Sequence, residues 1–220
     1  MLEMNFEIAR HNMIEQQIRP WNVIDPITLE ALDVIPRENY VPDTMKHSAF
    51  ADTQLPIGHN QVMLCPKIEA HILQSLQVQE TDSVLEIGTG SGYMTALLAH
   101  LADKVCSVEI IESLSQSAQQ KLASEGFENI TFVVDDAAQG YEQNSPYDVI
   151  VITGSVAQLA ESFKTSLNKG GRLFAVIGSA PVMEATLITR VSSNQYRTEV
   201  LFETEIPALE NNITNSTFSL

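Results

Sequence analysis

Apolar positions change their spacing along this chain, and the changes predict its elements. Residues 5–18 carry Phe6, Ile8, Met13, Ile14 and Ile18 in an approximately helical stripe, closed by Arg19-Pro20. Asp25-Pro26 opens a second helix, with Asp25 suited to the N-cap and Pro26 to the first helical position; Leu29, Leu32 and Ile35 face inward before Pro36. Residues 36–42 form a proline-bracketed loop, and residues 48–61 show little periodicity and read as a long loop. Pro66 starts another helix with Ile68, Ile72, Leu73 and Leu76 on one face. From Val84 onward strands and helices alternate. Strands are expected at 83–87, 104–109, 130–134, 147–152 and 172–177, and helices near 92–102, 111–125 and 157–167. Strands this uniformly apolar are buried on both faces, which means a parallel sheet covered by helices. Residues 185–190 and 196–204, joined by Ser-Ser-Asn-Gln, read as an antiparallel hairpin finishing the sheet.

One junction organises the rest. Val84, Leu85 and Ile87 stop at Gly88; Gly90 and Gly92 follow in alternation, and Met94, Leu97, Leu98 and Leu101 then take helical spacing. A strand, a glycine turn and a helix N-terminus let backbone N–H groups approach a ligand closely. In a dinucleotide fingerprint G-x-G-x-x-G/A the sixth position is small; here it is Tyr93. The string E-x-G-x-G-x-G, with Glu86 still in the strand, instead resembles the first motif of S-adenosylmethionine-dependent methyltransferases. The next strand ends at Glu109, about 20 positions past the turn, where a carboxylate can accept from both hydroxyls of a ribose. Glu109 could otherwise cap the helix that follows.

Composition narrows the function. With 12 basic and 28 acidic residues the net charge is −16, which disfavours nucleic acid and anionic membrane surfaces as partners. No run of 18 or more apolar residues exists and the N-terminus has no apolar signal core, so a cytoplasmic location is expected. Cys65, Cys106 and the five histidines make no metal-ligand spacing, so no metal site is expected. Asn212 and Asn215 match the glycosylation acceptor pattern by chance, in a tail (210–220) expected to fray.

Five motifs occur in one order: Met13-Ile-Glu-Gln-Gln-Ile, Val34-Ile-Pro-Arg-Glu-Asn-Tyr-Val-Pro, Phe50-Ala-Asp-Thr-Gln-Leu-Pro-Ile-Gly, Val84-Leu-Glu-Ile-Gly-Thr-Gly-Ser-Gly-Tyr and Gly170-Gly-Arg-Leu. Together they closely resemble the protein-L-isoaspartate O-methyltransferases, over about residues 10–180. The resemblance implies an α/β, Rossmann-like methyltransferase fold: a mostly parallel sheet with helices on both faces and a C-terminal antiparallel pair. Residues 1–78 would form the substrate side, 79–209 the methyltransferase core and 210–220 a flexible tail. It implies transfer of the methyl of S-adenosyl-L-methionine to the α-carboxylate of an isoaspartyl residue, which starts repair of damaged proteins or peptides.

By the same resemblance the cofactor is held by Glu86, Gly88, Thr89, Gly90, Ser91 and Gly92, by Glu109 and Ile110, by Asp136 and Ala137, and by Thr153. Asp136 would accept from the adenine amino group; Asp135 and Ala137 stand where the family has glycines, and both acids could instead cap a following helix. Asp52 and Leu64, on the acceptor side, are the expected catalytic positions. There the chain departs from the family's Gln-Thr-Ile-Ser-x-Pro, reading Gln61-Val62-Met63-Leu64-Cys65-Pro66. Two hydroxyls have become apolar, which leaves a pocket less suited to an ionised carboxylate. Two alternatives therefore stand beside isoaspartyl methylation. One is a different small acceptor, apolar, phenolic or carboxylic, with His59 as base for a phenol; isoaspartyl methylation itself would survive if backbone N–H groups hold the carboxylate or Cys65 replaces the lost serine. The other is a cofactor-binding protein without transfer.

Overall fold

The computed structural model describes residues 5–212. The N-terminal part holds α1 (Phe6–Met13), α2 (Pro26–Val34), a hairpin of β1 (Leu55–Gly58) and β2 (Gln61–Met63), and α3 (Pro66–Leu76). The sheet and its helices follow: β3 (Ser83–Ile87), α4 (Tyr93–Leu101), β4 (Lys104–Glu109), α5 (Glu112–Ser124), β5 (Ile130–Val134), β6 (Tyr147–Val156), α6 (Glu161–Thr165), β7 (Leu167–Ser179), β8 (Val182–Ser192) and β9 (Gln195–Glu203). Seven strands stand in the order β5-β4-β3-β6-β7-β8-β9. The first five are mutually parallel; β8 and β9 add an antiparallel meander at one edge. This is the expected α/β sheet with its antiparallel pair.

Alternation along the strands builds two cores, as the two-residue period of a strand requires. Val84, Val149, Val151 and Phe174 face one side, where α1, α2, α3 and α4 cover them. Leu85, Ile87, Ile150, Ile152 and Leu173 face the other, against Phe163 of α6 and Tyr141. The N-terminal helices and the sheet thus share a continuous core. Asp25 caps α2 as expected, accepting from the Thr28 N–H at 2.8 Å. No described helix is long and apolar enough to cross a membrane.

Three expectations about elements need correction. The first helix is α-helical only to Met13; Ile14–Ile18 wind as a π-turn and Arg19–Trp21 as a 3-10 turn. The supposed loop 48–61 ends in the β1–β2 hairpin, whose turn residues His59 and Asn60 both take positive φ, +52° and +58°. That is the backbone a two-residue hairpin turn requires, and it buries Leu55 and Met63. The helix expected at 157–167 shrinks to five residues. β6 runs on to Val156 because Ser155 gains backbone partners, donating its N–H to Pro207 and accepting from the Leu209 N–H. The expected fraying of the tail concerns mostly residues 213–220, which lie outside the described residues, as does Asn215.

Candidate active site

The carboxyl ends of β3, β4 and β6 open into one cavity, where ligands of open α/β sheets bind. Its floor is the turn after β3. Gly88 takes φ +95°, and a Cβ there would collide with Thr153 Oγ1. The Thr153 hydroxyl lies 2.9 Å from the Ile87 carbonyl and 2.7 Å from that of Gly88, so it ties the ends of β3 and β6 together. Gly90 faces Ile57 of the hairpin, its position for a Cβ only 3.3 Å from Ile57 Cδ1.

Two carboxylates stand on the wall beyond. Glu109, at the end of β4, accepts from the Gly90 N–H at 2.9 Å through Oε2 and from the Ile111 N–H at 3.0 Å through Oε1. Each oxygen keeps a further lone pair for an incoming donor. Asp136 accepts from the Ala138 N–H at 3.0 Å and from Asn211 Nδ2 at 2.9 Å. No helix follows it; the carboxylate caps a turn at 137–140.

Of the residues singled out from sequence, Leu64, Gly88, Thr89, Gly90 and Ser91 line this cavity, as do Glu109, Ile110, Asp136, Ala137 and Thr153. Glu86, Gly92 and Asp52 lie outside its lining, each for a physical reason. Glu86 is wholly buried inside the sheet, where Oε2 accepts from Thr95 and Ser107, both at 2.6 Å. Since Ser107 spends its one proton on Glu86, Thr89 donates to Ser107 across 2.5 Å, and its hydroxyl hydrogen points away from the cavity. Burial pushes the Glu86 carboxyl up to about 8, Ser107 and Thr95 opposing. Gly92 lets two helices meet, since a Cβ there would stand 3.0 Å from Ala118 Cβ of α5. Asp52 pairs with Lys67 at 2.8 Å. His59 also stays outside, its Nε2 2.9 Å from Ser113 Oγ at the start of α5. Cys65 is half-buried and its thiol is pushed up to about 11.

The sequence matches the model of a family described as Protein-L-isoaspartate(D-aspartate) O-methyltransferase (PCMT) over residues 9–207. This chain belongs to that family. Among curated relatives, protein-L-isoaspartate O-methyltransferase 1 of Rhodopseudomonas palustris (strain HaA2) is 37% identical over 198 residues, covering 90% of this chain and 81% of its own. Protein-L-isoaspartate O-methyltransferase of Methanoculleus marisnigri is 43% identical over 169 residues, covering 77% of each. A Plasmodium falciparum structure assigned to the same family, solved with S-adenosyl-L-homocysteine, superposes with a TM-score of 0.80 over 96% of this chain and all of its own at 19% identity. That likeness shows the shared fold.

Sequence reasoning missed two parts of the cavity. One is a strap, residues 205–211, that crosses the cavity after β9. Leu209 packs over Gly88 and Gly154, Gln61 Nε2 donates to Glu210 at 3.2 Å, and Asn211 reaches Asp136. Its apolar residues are too few to show a period. The other is Glu69, in the first turn of α3, which is buried and lines the cavity beside Met63 and Leu64. A signal for it existed: Glu69 precedes Ile72, Leu73 and Leu76 by three, four and seven positions, so it is an acid on the helix's apolar face.

Proposed function

We propose that this chain methylates the α-carboxylate of L-isoaspartyl residues in proteins or peptides, using S-adenosyl-L-methionine. The observation that carries this reading is the cavity, in a chain of this family: a glycine turn and two carboxylates on one side, an enclosing hairpin and helix on the other. Its residues fit the cofactor. Gly88 leaves a cradle that a Cβ would fill, and Glu109 and Asp136 are acceptor groups suited to ribose hydroxyls and an adenine amino group. Gly88, Thr89, Gly90 and Ser91 would form the floor, with Ile110, Ala137 and Thr153 beside them. Glu86 and Gly92 would act from behind, by holding strand and helix. When bound, the cofactor supplies an electrophilic methyl group.

The protein's own work is alignment and exclusion of water. A carboxylate acceptor is ionised at pH 7 and needs no base. The hairpin and α3, within residues 1–78, would form the acceptor side through Ile57, Val62, Met63 and Leu64. Asp52 would act there only indirectly, through Lys67 in α3's first turn. A second reading, a more apolar acceptor, is favoured by Val62 and Leu64. The deciding experiment is transfer of labelled methyl to an isoaspartyl peptide, with the matched aspartyl peptide as control. Labelling of the isoaspartyl peptide alone is expected. No labelling by protein that binds S-adenosylhomocysteine in calorimetry would move the search to other acceptors.

A further inference from the structure

The acceptor wall is short of hydrogen-bond donors. No Lys, Arg or His is among the described residues lining the cavity. The hydroxyl protons of Thr89 and Thr153 are spent on Ser107 and on backbone carbonyls, and Gln61 is engaged with Glu210. Ser91 belongs to the glycine turn. An anionic acceptor pressed against the side chains of Ile57, Val62, Met63 and Leu64 would lose its water and find no side-chain donor among those four.

Glu69 stands at this wall. Arg37, fully buried, donates through Nε to the Ala49 carbonyl and through Nη2 to the Leu64 carbonyl, both at 2.7 Å, and through Nη1 to Glu69 Oε2. One arginine thus fixes the loop before the hairpin, the acceptor loop and the first turn of α3. Glu69 Oε1 has no hydrogen-bond partner among the described residues. We propose that Glu69 holds the acceptor by donating its carboxyl proton to the acceptor's carboxylate, with Arg37 keeping the Glu69 side chain in place.

This inference rests on the reading that the acceptor is a carboxylate. Two carboxylates in contact cannot both stay ionised, so the arrival of one favours a proton on the other. A carboxylic acid kept neutral by an apolar site can serve as a donor at neutral pH. Burial drives the Glu69 carboxyl up to about 8 against the opposing pull of Arg37. The other groups facing it do not cancel that effect. Tyr93 of α4 and Cys65 at the cap of α3 are themselves raised by burial and stay neutral, while Lys67 is turned to Asp52 and Arg10 to Glu38. The proton stays on Glu69 throughout, and the ester formed still offers a carbonyl oxygen to it.

The test uses an N-acetylated isoaspartyl peptide, so that no peptide amine titrates, with calorimetry of S-adenosylhomocysteine binding as the folding control. Wild-type kcat/KM for the peptide should be level to about pH 7 and fall above about pH 8, where Glu69 loses its proton. Glu69→Gln offers an amide N–H in place of the O–H. It should stay within about fivefold of wild type at pH 7 and lose the Glu69-dependent part of that alkaline fall. Glu69→Leu should lose about 10–100-fold, the worth of a hydrogen bond to a charged group. Full activity of Glu69→Leu, or an unchanged fall in Glu69→Gln, overturns the inference. An infrared difference spectrum, wild type minus Glu69→Gln, needs no acceptor and no turnover. It should show a protonated carboxyl band at pH 6 that disappears by about pH 10, and its absence overturns the inference even if both variants are inactive. A wild type that labels no isoaspartyl peptide overturns the isoaspartyl reading instead. The band then decides only whether Glu69 carries a proton to donate, and its absence still overturns the inference.

Discussion

At Gly88 the difference between one hydrogen and one methyl group decides whether the cavity keeps its floor. Its φ of +95° and the nearness of Thr153 Oγ1 both exclude a side chain. Gly88→Ala should cost about 1–3 kcal/mol of stability from backbone strain alone, with the collision added, measured by urea denaturation. Glu109 is the opposite kind of residue, held for what it can still accept. Glu109→Ala should weaken S-adenosylhomocysteine binding about 10–100-fold in calorimetry, and unchanged affinity would remove it from the cofactor site. Both residues were legible in sequence, because a strand ending in glycines and the next ending in an acid are local patterns. Glu69 was not picked out. Its meaning depends on Arg37, 32 positions away, and no local pattern joins them.

The five parallel strands were legible for a similar reason. A strand buried on both faces is written as an apolar run, and β3, β4 and β5 fall on the expected residues. The hairpin and the strap were not legible. Each is short, and each is held by partners distant in sequence. Ser113 meets His59 at the hairpin tip, and Ser155 meets Pro207 and Leu209 in the strap. The hairpin turn carried a faint signal in Gly58-His59-Asn60, but without flanking alternation long enough to weigh. The strap's contribution can be measured through Leu209, which covers Gly88 and Gly154. Fully burying a leucine side chain is worth about 1.5–3 kcal/mol, and the half-buried Leu209 supplies part of that. Leu209→Ser should therefore weaken S-adenosylhomocysteine binding by about tenfold, read by calorimetry, if the strap walls the cofactor. An unchanged Kd would mean that it does not.

At the scale of the molecule, two carboxyls buried in the interior, Glu69 and Glu86, are both held up to about 8. A raised carboxyl binds its proton more tightly folded than unfolded. The folded protein is therefore favoured below the unfolded value near 4.3, and that advantage is lost as pH rises through about 8. Stability should decline between about pH 5 and pH 8, and Glu86→Gln should flatten part of the decline in urea midpoints. The net charge of −16 adds self-repulsion in the same direction, but salt screens that part and leaves the buried part. A decline abolished by salt would assign all of it to surface charge. The strap has a further consequence, in time rather than space. Chains emerge from the ribosome N-terminus first, and the glycine turn at 88–92 is made long before residues 207–210 complete the wall over it. A nascent chain can pair β3 with β4 and hold Glu109 in register while its cavity still lacks one side. The cavity is thus among the last parts of the protein to be finished.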